Sequence, residues 1–370
     1  MFTVAYVGRQ GHRLLASQDL NPGNPQTCLD LNSVLGDGTC GPFFADTGYS
    51  FTLPSGSVFH LPYAPGATPG SPNIPCPMKN APAACTVTGA PGGTPITLAG
   101  LRPYSAPLCD PLAGTGCPPD GIPVFSSIFT QNTIASSSYN GLQASLEKRF
   151  SHGLQFVAAY TFGKSLDYAS TFENLVDPVN PKRNRARSLF DASQRFVFSY
   201  AWDLPIPKRE GFAGKLVNGW QMSGITTFQS GFPIRITEQD DIELQSSFDF
   251  ETPGQPNIAE PFKKLNPRGP GNLGFNPSAY TEDTVPPGTI GNAPRTMCCG
   301  PGINNWEMGF QKMTPITERV NLEFLAQFFN TFNHAQFFQP DGNITDGPDF
   351  GRVKRARDPR LIQFGLKLSF

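Results

Sequence analysis

Down the last stretch of the chain, Leu361 to Phe370, apolar and polar positions alternate without a break. Ile362, Phe364, Leu366, Leu368 and Phe370 are apolar, while Gln363, Gly365, Lys367 and Ser369 are polar or small. Period-two alternation sends successive side chains to opposite faces of a strand. A strand with one oily face, ending on an aromatic residue, is odd in a soluble domain. It is ordinary as the closing strand of a barrel whose outside meets lipid.

The same pattern recurs upstream. Residues 139–150 set Leu142, Ala144, Leu146 and Phe150 against Gln143, Ser145, Glu147 and Arg149. After the turn Ser151-His152-Gly153, Leu154, Phe156, Ala158, Tyr160 and Phe162 alternate with Gln155, Val157, Ala159 and Thr161, which predicts a hairpin. Residues 195–204 oppose Phe196, Phe198, Tyr200, Trp202 and Leu204 to Arg195, Val197, Ser199, Ala201 and Asp203. Segments 220–229, 305–313 and 320–332 follow with more noise, and Phe2 to Val7 supplies a first strand. None of these segments holds one of the chain's 38 prolines, as expected of residues that cannot donate to a ladder. The predicted class is all-β: an antiparallel up-and-down transmembrane barrel of about eight visible strands with long irregular loops.

Connection lengths sharpen this prediction. Between the strands they run about 131, 3, 31, 15, 75, 6 and 28 residues, long and short in strict turn. Up-and-down membrane barrels have short turns on the periplasmic side and long loops outside. Counting back from the terminal strand places 151–153, 205–219 and 314–319 on the side of the carboxy terminus, the periplasmic one, with every long loop extracellular. Trp202, Trp220 and Phe370 then fall near one water boundary and Phe162, Phe196, Phe228 and Trp306 near the other, as an aromatic girdle requires.

Composition adds limits. Hydrophobic residues are 38% of the chain and aromatic residues 12%, with 31 phenylalanines and 38 glycines. The Gly and Pro load implies much irregular chain, and the aromatic content argues against plain disorder. A net charge of −1 gives no overall pull toward nucleic acid or anionic lipid. No apolar run is long enough for a membrane helix, which leaves a barrel open because alternation keeps mean hydropathy low. The amino terminus lacks the pattern of a signal peptide; the expectation is a chain that forms part of a longer protein.

Candidate chemistry is sparse. Cys28, Cys40, Cys76, Cys85, Cys109, Cys117, Cys298 and Cys299 all lie in predicted outer loops. Loops without a core are where disulfides replace burial. Proximity suggests Cys28–Cys40, Cys76–Cys85 and Cys109–Cys117, although eight cysteines allow roughly a hundred pairings. Zinc spacing is missing, as are paired histidines and a phosphate-binding loop, so no metal, cofactor or enzymatic role is expected. The acidic run Glu238 to Glu243 and the basic cluster Lys182, Arg183, Arg185 and Arg187 could hold a cation or meet lipid phosphates; solvated loops are the plainer reading. Gln143, Glu147, Arg149, Gln155, Arg195, Asp203, Gln221, Glu307, Glu323, Gln327 and Lys367 share the face opposite the oily one. They are read as lumen lining.

The segments YNGLQASLEKRFSHGLQFVAAYTFGKSLD, DASQRFVFSYAWDLP, NGWQMSGITTFQSGFP and LEFLAQFFNTFNHAQF resemble the carboxy-terminal barrel of TonB-dependent receptors, in particular the Oar-like branch. The likeness covers residues 1–13 and 136–370; the Pro/Gly/Cys-rich loop at 14–135 matches no family, and Met297-Cys298-Cys299 departs from the family pattern. The resemblance implies a roughly 22-stranded outer-membrane barrel with an amino-terminal plug and, often, a regulatory-like domain ahead of it. Neither is recognisable in residues 1–370. Implied partners are outer-membrane lipid, lipopolysaccharide, the barrel assembly machinery, an unidentified small ligand and, through the plug alone, the TonB energy complex. Ile362, Phe364, Leu366, Leu368 and Phe370 would form the assembly signal. Two other readings stay open: a small eight-stranded outer-membrane adhesion or binding barrel, and a secreted soluble enzyme on a β-sandwich.

Overall fold

In the computed structural model, eight long strands form one antiparallel sheet in their order along the chain. The structure describes residues 1–20, 128–171, 176–177, 180–238, 254–281, 285 and 289–370, and the backbone pairing of 40–41, 50–52, 58–60 and 96–97. The strands are β1 (Phe2–Asp19), β2 (Phe129–Ser151), β3 (Leu154–Asp167), β4 (Gln194–Asp203), β5 (Trp220–Gln229), β6 (Ile303–Pro315), β7 (Asn321–Phe329) and β8 (Leu361–Ser369). Each pairs with its sequence neighbour, and β1 and β8 are the two edges of an open ribbon. No helix among the described residues is long and apolar enough to cross a membrane.

Register explains why alternation in sequence becomes two chemically different faces. Phe156, Tyr200, Gly224, Met308, Phe328 and Ile362 are consecutive cross-strand partners, forming one row over β3 to β8. One residue along, Gln155, Ala201, Ser223, Gly309, Gln327 and Gln363 form the next row, on the opposite face. A slip of one residue anywhere would mix the two faces. Gly224 fits its row for a steric reason: a Cβ there would lie 2.7 Å from Tyr200 Oη.

The short turns lie at one end and the long connections at the other. His152 and Gly153 turn β2 into β3 with φ of 55° and 77°, the left-handed pair that suits a two-residue hairpin. Between β4 and β5 the chain makes a short helix, α1 (Gly211–Val217), and enters β5 at Gly219 with φ 75°. A Cβ at Gly219 would stand 2.6 Å from the Met313 carbonyl oxygen.

Three expectations change. First, β1 runs to Asp19 and β2 starts at Phe129, so the strands reach well into the segment read as a loop over 14–135. Register shifts at Gly11/Leu14 and Leu14/Ala16 break the alternation while the ladder continues, as bulges do. Second, β6 ends on Pro315, at the turn, where a missing donor costs little. Third, among the described residues the long connections do have a core. Ile234, Ile236, Phe275, Ala279, Tyr280, Ala293, Ile344 and Phe350 are buried together. Phe275 lies at its centre, 5.2 Å from the Phe350 ring and 5.5 Å from Phe262.

Candidate functional site: an oily belt, a polar wall and stitched loops

The apolar face is a surface. Tyr6, Phe364 and Leu366 are 71%, 66% and 70% exposed, and Leu142, Leu146, Phe162 and Phe228 are exposed as well. Apolar area left in water costs about 25 cal/mol per Å², and a patch spanning eight strands far exceeds what a soluble surface tolerates. At the long-loop end, Phe228, Trp306 and Phe332 pack edge-on, with ring centroids 5.8 and 5.5 Å apart. At the short-turn end, Trp220 packs edge-on to Phe324 at 6.3 Å, with Lys312 Nζ 5.6 Å from the indole centroid. Trp220 and Phe228 are separated by roughly 27 Å at the rise of an extended strand. That matches an apolar band bounded by aromatic girdles.

The opposite face collects the polar residues expected there. Gln155, Gln327 and Gln363 share one row; Glu147 and Glu307 lie in another, with Val157, Ser199 and Ile225 between them. Asp203 pairs with Gln221, and Glu323 with Lys367. Arg195 and Gln143 both register against Thr161. Gln221 Nε2 donates to Asp203 Oδ1 at 2.8 Å, and Gln311 Nε2 to Glu323 Oε1 at 2.7 Å. Arg149 Nε stands 4.0 Å from Glu147. A hollow of about 730 Å³ has Glu147, Gln155, Ser199, Ser223, Glu307 and Gln327 in its lining. The wall is not uniformly polar, since Val157 and Ile225 are exposed on it. Ile362, Phe364, Leu366 and Leu368 lie on the oily face of edge strand β8, and Phe370 is 98% exposed just beyond it.

The loops hold buried polar residues that sequence reasoning passed over. Arg295 is buried and ion-paired with the Asp167 carboxylate at the end of β3. Its Nε donates to the Asn184 carbonyl at 3.1 Å and its Nη2 to the Asp167 carbonyl at 3.2 Å. Asn184, itself fully buried, donates through Nδ2 to the Asp177 carbonyl at 3.0 Å. The basic cluster, read as a solvated face, is exposed at Lys182, Arg183 and Arg185, and its arginines also stitch the loops together. Arg183 donates to the Ile290 and Gly291 carbonyls, Arg185 to Ser138 Oγ at 3.1 Å, and Arg187 to Ser193 Oγ at 2.6 Å and Asp191 Oδ2 at 3.2 Å. Glu238, the first residue of the acidic run, is buried, with its amide donating to Gly254 O at 2.9 Å. Residues 239–243 lie outside the described residues.

Cys298 and Cys299 are joined to each other, beside Arg187. The candidate pairs among Cys28, Cys40, Cys76, Cys85, Cys109 and Cys117 lie outside the residues whose side chains are described. Further along, Lys354 Nζ bridges Asp341 Oδ2 at 2.9 Å and Asp349 Oδ2 at 3.0 Å. Burial alone would push the Asp341 carboxyl up. Hydrogen bonds from Lys354 and the Asn343 amide outweigh that and hold it below its ordinary value, and the two carboxylates push Lys354 up. No group of acidic, histidine or cysteine side chains suited to a metal occurs among the described residues.

A family model described as "Outer membrane beta barrel domain" matches residues 1–363. The chain belongs to this outer-membrane β-barrel family. The match runs through every long strand and into β8, so the oily belt is the part of the barrel in contact with lipid and the chain resides in the outer membrane. No curated protein matches the barrel chain.

Proposed function

We propose that this outer-membrane barrel is the carboxy-terminal portion of a TonB-dependent receptor. In the intact protein its outer loops capture a small ligand, which passes along the polar wall when the inner-membrane energy complex acts on an amino-terminal plug. The observation that carries a barrel larger than eight strands is the open ribbon, with β1 and β8 as unpaired edges. Hydrocarbon offers no partners to a bare strand edge, so these edges call for further strands. Support for passage is the row of amide, carboxylate and hydroxyl side chains on the face away from lipid, a wet surface rather than a packed core. The stitched long loops suit capture. Arg355 and Arg357 flank Phe338 at 5.3 and 5.6 Å on the same long-loop end, which suits lipopolysaccharide phosphates there. The reading assigns no catalysis. It places the short turns and the carboxy terminus in the periplasm.

The test has two arms. Cysteines at Val4 and Leu366 on the two edge strands should form no intramolecular crosslink in the intact gene product; efficient crosslinking means that β1 meets β8 and the protein is the small adhesion barrel. Ferric siderophores, cobalamin, oligosaccharides and peptides are then offered to cells. Accumulation of one of them should stop when the inner-membrane proton gradient is collapsed, and uptake that survives the collapse overturns TonB coupling.

A further inference from the structure

The connection from β4 to β5 is more than a turn. Its helix α1 presents Phe212 and Leu216, which are 78% and 59% exposed. They are one helical turn apart and so lie on the same side. Lys208, Arg209 and Lys215 surround them, all exposed, against the single acid Glu210. An isolated helix this short is unstable in water, and here the chain clamps it. Asn218 closes the neck, its Oδ1 accepting from the Arg209 amide at 3.1 Å and its Nδ2 donating to the Arg209 carbonyl at 2.9 Å. Trp220 Nε1 donates to the Leu216 carbonyl at 3.1 Å, and Lys312 Nζ donates to the Asn218 carbonyl at 2.5 Å.

Those last two bonds decide which way the helix leans. Trp220 and Lys312 are cross-strand partners in the outward row, so α1 is fastened to the lipid side of the sheet and not to the lumen mouth. Its exposed apolar pair continues the oily belt past the Trp220–Phe324 girdle. Ile316, in the neighbouring turn, is exposed at the same end. Apolar side chains at the edge of a bilayer, ringed by cations on long stems, are what an interfacial helix needs. We infer that α1 is a membrane foot: Phe212 and Leu216 enter the acyl region of the phospholipid leaflet, and Lys208, Arg209 and Lys215 take anionic phospholipid headgroups. This rests on the reading that the short turns face that leaflet. The occupant follows from continuity with the lipid-facing belt and from charge, since cations within a Debye length of an anionic surface are drawn to it.

The intact gene product is folded into vesicles of phosphatidylcholine carrying bromine on the acyl chains, with and without phosphatidylglycerol. Phe212→Trp and Leu366→Trp are compared with the native chain. Bromine placed shallow should lower the added Phe212→Trp emission about twofold, more strongly with phosphatidylglycerol present, and deep bromine should quench Leu366→Trp. Lys208→Gln with Lys215→Gln should remove the phosphatidylglycerol dependence. Quenching of Leu366→Trp without any of Phe212→Trp overturns the foot and leaves the barrel standing; a soluble protein partner for α1 would give that result. Quenching of Phe212→Trp that ignores phosphatidylglycerol overturns the headgroup assignment. Silence at both positions overturns the foot and the membrane reading together.

Discussion

Arg295 and Asp167 show what a single residue can hold. A buried guanidinium is held here by the Asp167 carboxylate and by two carbonyl oxygens. Removing one partner of a buried pair costs about 3–5 kcal/mol. Asp167→Ala should therefore loosen the long-loop end while the strands persist. Limited proteolysis checks this: cleavage in 168–193 and 254–302 should speed up with heat-modifiable migration unchanged, and native-like resistance would refute it. Nothing in the sequence marked these two residues as a pair, since they are 128 positions apart. The split of the strand residues into two faces was legible by contrast, because parity along a strand fixes the face of each one.

At the scale of elements, strands and short turns could be read directly from period-two patterning and turn residues. The bulged upper part of β1 could not, because each register shift resets the parity. The folded loops were also hidden, since Phe262, Phe275, Tyr280 and Phe350 lie in a Pro- and Gly-rich stretch without any period. The 341–354 segment has a titratable clasp. Asp341 has a depressed pKa in the folded protein, so its contribution is present above the ordinary carboxylate range and fades as pH falls through the lowered value. Lys354 is raised, so its share is fully present below the ordinary lysine range and fades only as pH climbs past the raised value. Amide exchange in 341–354 should accelerate in acid, below ordinary carboxylate pKa values, before the strands do. Unchanged protection there at low pH would sink the clasp.

For the whole molecule, the terminal strand ties fold to fate. β8 is an edge, its oily face is bare, and Phe370 stands free at its end, which suits recognition by the assembly machinery. Phe370→Asp should lower the amount of protein inserted in the outer membrane severalfold, since a charge on the lipid side of a barrel strand is costly, at about 2–4 kcal/mol for a basic residue mid-bilayer and less for an acid or near the interface. Surface labelling and heat-modifiable migration measure it, and native levels of both would count against the signal. Overall charge was a poor guide at this scale, because a near-neutral total conceals the local cationic ring around α1.

Threads cross between all three described long connections. Arg295 joins the segment before β6 to the end of β3 and to Asn184, Arg183 reaches across to Ile290 and Gly291, and Thr237 meets Gly342 and Ile344. The long-loop end consequently yields as a collar and not as separate flaps: displacing one connection shifts its neighbours too, so any opening there is collective and its threshold is set by the sum of the knots.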